Sequence, residues 1–300
     1  MTVRILISDK IADEGIKIME QKGYEVARCW GLPKTQLTSI IADYDALIVR
    51  SATKVTAELL GNAKKLRVIG RAGEGLDNID LKKARAMGIE VVNTPHVAAI
   101  SVAELTMGHL LALARGIVEG TLSLREGRWI KEELMGVEVS GKTLGIVGCG
   151  SIGKTVERLA MALGMKVVGV DMCVYGRFVT LEEMLPQADF VTVHVPLTPH
   201  TRHMLSVKEF AMMKDGVMLV DCSRGGVVDQ EALYDALMSG KVKAAALDVF
   251  EEEPPKDSKL LKLKNVHATP HIGAQTFEAQ LKSSVLIAER VIEALEKTVS

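Results

Sequence analysis

Charged and titratable side chains follow three consecutive strand-like segments in the second half of the chain. Arg224, the acidic run 251–253 and His271 each come directly after one of these segments. An arginine can bind a carboxylate through two hydrogen bonds, and a histidine beside a carboxylate can exchange a hydroxyl proton. Together they predict a site for hydride transfer at a hydroxyl-bearing carbon. Taken singly, each is also compatible with an ordinary role: a turn arginine, a solvated acidic run or a loop histidine.

A glycine pattern that fits a dinucleotide precedes these loops. Gly148, Gly150 and Gly153 form G-x-G-x-x-G between a buried apolar run and a helical pattern, and Asp171 follows the next apolar run. The glycines permit a tight turn, close approach of a pyrophosphate and close packing of the helix. The carboxylate can bind adenosine ribose hydroxyls and would repel a 2′-phosphate. The pattern predicts NAD rather than NADP, and a glycine-rich turn without a ligand is the alternative.

The remaining histidines and the cysteines predict neither a metal site nor disulfides. His194, His200 and His203 are interrupted by prolines, and their spacing fits no pair of ligands on a helix or strand face. The four cysteines show no C-x-x-C spacing, so we expect free thiols in a reducing compartment. Cys149 and Cys222 lie at strand ends and are interpreted as small buried residues.

Cations and small residues also follow two strand-like segments in the first half of the chain. One loop runs from Arg50 to Lys54 with the sequence R-S-A-T-K, and the other covers 70–75 and contains Arg71. Guanidinium and ammonium groups beside free backbone N–H groups suit a small ligand with several negative charges. Ordinary surface cations are the alternative.

Alternating strand and helix patterns must position all of these loops. The short apolar runs predict strands at 4–8, 25–28, 46–49, 66–69 and 90–92, then at 144–147, 167–170, 190–195, 217–221, 244–247 and 266–268. Helical periodicity separates most of these runs. Such alternation is typical of doubly wound domains, so we predict the α/β class with two mostly parallel sheets.

Local signals mark several helix ends. Gly23, Gly61 and Gly88 follow helical patterns as carboxyl-terminal caps. Ser101 and Glu104 have the spacing of a capping box, which predicts a long helix that begins there and is apolar on more than one face. We interpret that helix as a buried connector or a contact between subunits.

The composition argues against two classes of protein. Lys and Arg number 37 against 38 Asp and Glu, so no basic excess points to nucleic acid. The longest apolar run, at 105–117, contains His109 and Arg115 and is too short for a membrane span. The chain enters its first strand directly, so we expect no signal peptide and a cytoplasmic location.

Taken in order, these motifs resemble the D-2-hydroxyacid dehydrogenase family over essentially the whole chain. The matching stretches are 47–57, 70–73, 148–153, 223–226, 248–250, 253–255 and 270–274. The 50–54 stretch is similar to the phosphoglycerate branch of that family. The resemblance implies two Rossmann or flavodoxin-like domains: a substrate-binding domain at 1–97 and 277–300, and an NAD-binding domain at 98–276 inserted into it.

The resemblance also implies roles for individual residues. The implied catalytic set is Arg224, Glu253 and His271, because Glu253 is the glutamate directly before the two prolines. The implied NAD contacts are Gly148, Gly150, Ser151, Ile152, Gly153, Asp171, Val195, Cys222, Arg224, Asp248, His271 and Ala274. The implied substrate contacts are Arg50, Ser51, Lys54, Arg71, Ala72 and Gly73.

The activity that the resemblance implies is oxidation of 3-phospho-D-glycerate to 3-phosphooxypyruvate with NAD and no metal, as the first step of serine biosynthesis. A reductase for glyoxylate, hydroxypyruvate or a related acid is one alternative, and a non-catalytic NAD-sensing scaffold is another. Family members form dimers or tetramers through the cofactor domain, so we expect a homo-oligomer. Longer relatives add a regulatory domain after the last helix; we expect none here, and therefore no feedback by serine.

Two features depart from the family pattern. The segment from Asp171 to Thr180 is short where relatives usually have a helix. Glu74 stands where relatives often carry a threonine near the nicotinamide phosphate. We expect both departures to weaken cofactor binding.

Overall fold

A computed structural model describes residues 2–170 and 179–297 of the chain. The chain divides into two compact units: a first unit of residues Met1–Ala98 with Ala274–Ser300, and a second unit of residues Ala99–Gly273. Asp171, which sequence reasoning assigned to the adenosine ribose, lies outside the described residues, together with most of the short segment that follows it.

Short parallel strands form the centre of each unit. Within the described residues the strands are β1 (Arg4–Ile7), β2 (Glu25–Arg28), β3 (Ala46–Val49), β4 (Val68–Arg71), β5 (Glu90–Asn93), β6 (Thr143–Val147), β7 (Lys166–Val170), β8 (Phe190–Val193), β9 (Val217–Asp221), β10 (Val242–Leu247) and β11 (Val266–Ala268). Most residues of β3, β8 and β9 are buried, as expected for strands that helices cover on both faces.

Helices connect the strands within each unit. The α-helices in the described part of the chain are α1 (Asp13–Gln21), α2 (Lys34–Ile40), α3 (Ala57–Asn62), α4 (Leu81–Ala86), α5 (Ala99–Arg115), α6 (Ile117–Arg125), α7 (Ser151–Ala162), α8 (Leu181–Met184), α9 (Val207–Met212), α10 (Gln230–Met238) and α11 (Phe277–Lys297). Across residues 2–170 and 179–297, no single helix is long and apolar enough to cross a membrane; α5 and α6 reach that length only together, with a 66° bend between them.

Both sheets are doubly wound, which confirms the predicted α/β class. The first unit has the strand order β2-β1-β3-β4-β5 and the second has β11-β10-β9-β8-β6-β7, with every observed pair parallel. The winding direction reverses between β1 and β3 in the first sheet and between β6 and β8 in the second. Ligands of such sheets bind beyond the carboxyl ends of the strands at this reversal.

The structure corrects two helix ends that local signals predicted. Helix α5 begins at Ala99, so Ser101 and Glu104 lie inside the helix and form no capping box at its start. Gly61 lies within α3 rather than after it. In α5, packing sets the boundary: Ser101 is buried within the helix, and burial of neighbouring turns outweighs the capping signal.

The final helix α11 packs on α1 in the first unit, where the fit requires a glycine. A Cβ atom on Gly15 would lie 2.2 Å from the carbonyl oxygen of Ser284. The neighbouring Ala12 N–H donates to the Ser284 hydroxyl at 2.9 Å, so the two backbones are held close together.

We therefore expect Gly15→Ala to lower the free energy of unfolding by about 1–3 kcal/mol, because the helices must separate to admit a methyl group. Gly61→Ala is the matched control: it also lies in a helix, but the place that its methyl group would take has no neighbouring atom within 4 Å. The control should be neutral or more stable by about 0.5–1 kcal/mol. Urea unfolding measures both, and equal stability of the two variants would contradict this packing.

Candidate active site

The glycine turn between β6 and α7 has the geometry that a pyrophosphate requires. Gly148 has φ +97°, and a Cβ atom there would lie 2.7 Å from the His194 carbonyl oxygen. A Cβ atom on Gly153 would lie 2.0 Å from the Gly148 carbonyl oxygen, whereas Gly150 faces open space at the start of α7. Free N–H groups at the helix start and an unobstructed approach over Gly150 fit the phosphates of NAD.

The end of β8 lies beside this turn, at the reversal of the second sheet. The Val195 side chain approaches Gly148, and a Cβ atom on that glycine would lie 2.8 Å from Val195 Cγ1. His194 Nε2 is hydrogen-bonded to Thr192 Oγ1 at 3.0 Å, and its buried Nδ1 has no hydrogen-bond partner in the described structure. Burial lowers the pKa of His194 to about 3, so the imidazole is neutral.

Among the described residues, no group of three or more His, Cys, Asp or Glu side chains could hold a metal ion. His203 instead lies 3.2 Å from Glu251 through Nε2 and 3.8 Å from Asp229 through Nδ1.

Arg224 lies on a loop that begins with a side-chain turn at the end of β9. Asp221 is buried, and its Oδ1 accepts hydrogen bonds from the Ser223 N–H at 2.9 Å and the Ser223 hydroxyl at 2.6 Å. The Arg224 guanidinium donates to the Ser223 carbonyl at 2.8 Å. Gly225 lets this loop pack on the next one, since a Cβ atom there would lie 1.8 Å from the Phe250 carbonyl oxygen.

Glu253 and His271 form the imidazole–carboxylate pair that the sequence predicts. Glu253 Oε2 lies 2.8 Å from His271 Nδ1, and Oε1 accepts the Phe250 N–H at 3.2 Å. Burial alone would raise the pKa of the Glu253 carboxyl, but the bond to His271, the Phe250 N–H and the charge of Arg224 together lower it. The carboxylate is therefore ionised beside the imidazole, and the structure brings Arg224, Glu253 and His271 to the ends of three adjacent strands.

A buried carboxylate at the end of β10 fixes the loop that carries His271. Asp248 is 1% exposed, and its Oδ1 accepts the Thr269 hydroxyl at 2.6 Å and the Ile272 N–H at 2.8 Å. Its Oδ2 accepts the Gly273 N–H at 2.8 Å. Sequence reasoning treated Asp248 only as an NAD contact and missed this anchoring role, which the acidic residue at a strand end could have suggested.

His109 of α5 extends the anchor and was also missed. Its Nε2 lies 3.1 Å from the Thr269 hydroxyl, which already donates to Asp248. The imidazole must therefore donate its own hydrogen to Thr269, and burial lowers its pKa, which favours this neutral form. The signal in the sequence is a histidine in the middle of a mostly apolar helix.

The other predicted NAD contacts occupy varied positions. Ser151 and Ile152 form the first turn of α7, and Ala274 lies in the first unit. Cys222 is buried, and burial raises the pKa of its thiol far above the ordinary value while a hydrogen bond with Thr106 opposes the shift. The NAD contacts predicted at these residues, at the glycine turn and at Val195 all stay predictions.

The predicted substrate contacts occupy the carboxyl ends of β3 and β4 in the first unit. Arg50, Ser51 and Lys54 follow β3, and Arg71, Ala72 and Gly73 end or follow β4. The Arg71 guanidinium packs over Gly73, where a Cβ atom would lie 1.6 Å from its Nη1. The Glu74 carboxylate accepts the His96 N–H at 3.4 Å.

Comparison with known proteins gives the family. Residues 107–273 match the family described as D-isomer specific 2-hydroxyacid dehydrogenase, NAD binding domain. The chain belongs to this family. The glycine turn lies inside the matched region, and the prediction of NAD as the cofactor is confirmed.

Two relatives in this family carry different names. A D-3-phosphoglycerate dehydrogenase from Methanocaldococcus jannaschii is 48% identical over 302 residues, which cover 98% of this chain and 57% of the relative. A hydroxypyruvate reductase from Thermotoga maritima is 47% identical over 300 residues, which cover 97% of this chain and 98% of the relative. The chain thus spans little more than half of the first relative and nearly all of the second.

Solved structures share the whole fold. A crystal structure of a protein from Thermus thermophilus has a TM-score of 0.92 at 36% identity and covers 98% of this chain and 97% of its own. A 3-phosphoglycerate dehydrogenase from Entamoeba histolytica, solved with NAD⁺ bound, has a TM-score of 0.85 at 27% identity and covers 98% of this chain and 95% of its own.

Burial of Asp221 predicts a pH dependence of stability. Burial raises the pKa of this carboxyl to about 6, against the opposing bonds from Ser223. Between about pH 4 and pH 6 the folded state therefore binds more protons than the unfolded state, and stability from this group falls as the pH rises.

Asp221→Asn should remove that slope while keeping an oxygen for Ser223. The free energy of unfolding of the wild type, minus that of the variant, should decrease by about 3 kcal/mol from acidic to neutral pH. Urea unfolding at both pH values checks this, and a constant difference would contradict an Asp221 that protonates in the folded state.

Proposed function

We propose that the protein oxidises 3-phospho-D-glycerate to 3-phosphooxypyruvate with NAD, a reaction that would begin serine synthesis in the cytoplasm. The observation that carries the oxidation is the 2.8 Å contact between His271 Nδ1 and Glu253 Oε2 beside Arg224. The phosphorylated substrate is supported by the cations after β3 and by the 48% identity to a D-3-phosphoglycerate dehydrogenase.

Proton transfer in this proposal falls to His271. The Glu253 carboxylate can only accept, so Nδ1 carries the hydrogen and Nε2 is the nitrogen available as a base. When Nε2 takes the hydroxyl proton, the ring becomes positively charged, and the ionised Glu253 stabilises that charge. In the reverse direction the same ring returns the proton to the carbonyl oxygen.

Arg224 would bind the carboxylate of the substrate, next to the carbon that reacts. Its guanidinium would bind the substrate carboxylate through two hydrogen bonds and orient the hydroxyl-bearing carbon. NAD, when bound, supplies the acceptor for the hydride that leaves this carbon. The turn at 148–153 and the start of α7 would hold the NAD pyrophosphate.

Reduction of hydroxypyruvate is the second candidate. It is favoured by the Thermotoga maritima reductase, which this chain matches over 98% of that relative's length. The same three residues serve this reaction in reverse, since Arg224 needs only a carboxylate and His271 only a carbonyl oxygen. The two candidates differ in whether the substrate carries a second anionic group.

Substrate preference separates the two candidates. We expect kcat/KM for 3-phospho-D-glycerate to exceed that for D-glycerate by roughly 10²-fold or more, because the phosphate adds charge-assisted hydrogen bonds. The absorbance of NADH follows both reactions, with hydroxypyruvate and glyoxylate measured in the reverse direction. Equal values for the two acids would support the reductase instead.

Replacement of His271 tests the base. His271→Asn should lower kcat by roughly 10²–10⁴-fold, because the amide cannot take the proton. The matched control is His203→Asn: His203 also has a positive φ, has the same 40% side-chain exposure and lies beside a glutamate of the same acidic run. The control should keep wild-type kcat, and an active H271N enzyme would place the base elsewhere.

We also propose a homodimer or homotetramer formed through the second unit. Helix α6 and the segment after it expose a run of large apolar side chains, which soluble monomers seldom leave uncovered. These exposed side chains include Ile117, Leu122, Leu124, Trp129 and Met135. Sedimentation velocity measures the assembly, and a monomer at micromolar concentration would contradict it.

A further inference from the structure

The reversal of the first sheet brings an acidic residue against the cationic loop after β3. Strands β1 and β3 are neighbours, and Ile7 pairs with Ile48. Asp9 follows β1 and the loop of residues 50–54 follows β3, so both lie at the edge where ligands of doubly wound sheets bind. Asp9 is only 8% exposed, which means that its carboxylate must find partners inside the protein.

Within the part of the chain that the structure describes, the donors to this carboxylate come from the 50–54 loop. Asp9 Oδ2 accepts the Arg50 N–H at 2.6 Å and the Thr53 N–H at 3.1 Å. Its Oδ1 accepts the Thr53 hydroxyl at 2.7 Å. The Asp9 carboxylate therefore binds the loop at two residues, Arg50 and Thr53, and is buried beneath it rather than exposed to solvent.

Asn78 binds the same two loop residues through their carbonyl groups. Its Nδ2 donates to the Arg50 carbonyl at 2.7 Å and to the Thr53 carbonyl at 2.6 Å. The backbone of Asn78 is itself fixed, since its carbonyl accepts the Val55 N–H at 2.8 Å. Asp9 and Asn78 together satisfy the backbone N–H and C=O groups of both Arg50 and Thr53.

Three backbone N–H groups of the loop remain available to a ligand. Within the described structure, the N–H groups of Ser51, Ala52 and Lys54 donate to no protein acceptor, and all three residues are exposed. Lys54 adds an ammonium group. The Arg50 guanidinium is held by the Lys10 carbonyl and by Gln275 Oε1, each at 3.4 Å. A surface of this kind suits a multiply charged oxyanion such as a phosphate.

We propose that Asp9 and Asn78 are positioning residues that hold the 50–54 loop as the binding surface for the substrate's second anionic group. That this group is a phosphate rests on the proposed function. Neither side chain touches the substrate in this assignment. Their effect is on substrate affinity, because a loop fixed before binding loses less entropy when the anion binds.

Asp9→Asn keeps the volume but removes the negative charge and one of the two acceptor oxygens, so the hydrogen bonds that fix the loop become weaker. We expect it to raise KM for 3-phospho-D-glycerate roughly 10- to 100-fold while kcat and KM for NAD stay within about threefold of wild type. Asp13→Asn is the matched control, an exposed aspartate of the same unit that pairs with Arg28. It should leave all three constants unchanged.

Two further variants guard against simple misfolding. Thr53→Val removes only the hydroxyl bond to Asp9 and should raise KM for the phosphorylated acid by a smaller factor. Thr53→Ser keeps that bond and should restore the wild-type KM. A D9N enzyme with a lower melting temperature and lower kcat on every substrate, but an unchanged KM, would show a purely structural role and overturn the proposal.

Inorganic phosphate separates this proposal from the proposed function. Phosphate should inhibit wild-type reduction of hydroxypyruvate, and the inhibition should weaken at least tenfold in D9N but not in D13N. If the wild type fails to oxidise 3-phospho-D-glycerate yet shows this pattern, the substrate assignment falls and the loop assignment stands. If phosphate does not inhibit the wild type and D9N leaves every KM unchanged, the loop assignment falls.

Discussion

Buried carboxylates at strand ends hold the loops on which this protein depends. Asp9, Asp221 and Asp248 each follow or end a strand and are almost fully buried. Each accepts hydrogen bonds from at least one backbone N–H group and from a hydroxyl. A buried carboxylate is costly unless such donors surround it. The loop must therefore keep the conformation that supplies them, and the functional side chains follow from that conformation.

The need for these anchors arises from the parallel sheet itself. The loops beyond its strands are irregular, and their buried backbone groups have no ladder to satisfy them. In the second unit, three such loops follow the adjacent strands β9, β10 and β11, and each contributes one of Arg224, Glu253 and His271. Because Gly225 has no side chain, the first two of these loops can pack directly against each other. The loop that carries His271 is thus fixed by the side chains of Asp248, Thr269 and His109.

Much of this arrangement was predictable from the sequence, for identifiable reasons. Fully buried parallel strands are continuous apolar runs, so their positions and the α/β class could be predicted directly. The glycine turn was predictable because only glycine fits at positions 148 and 153, where a Cβ atom would collide with backbone atoms. The sequence must therefore keep the glycine pattern. Glu253 could be selected from three consecutive glutamates only by its place before the two prolines, and the structure pairs Glu251 with His203 instead.

The features that were missed depend on contacts between residues distant in sequence. The bond from Thr269 to Asp248 joins residues 21 apart, and the one from His109 to Thr269 joins residues 160 apart. The capping box at Ser101 failed for a related reason, because packing of α5 decides where that helix begins. The hydrogen bonds between Asp9 and the 50–54 loop join residues that follow two different strands, β1 and β3. They can be predicted only once these strands are known to be neighbours.

The backbone of His271 has a consequence for how this sequence evolves. Its φ of +52° is a conformation in which a histidine costs about 1 kcal/mol or more relative to glycine. If His271 is the base, as proposed above, selection for turnover outweighs that cost. In a gene copy released from such selection, drift toward glycine or asparagine at this position gains stability, so the imidazole is among the first groups that a lineage without activity would lose.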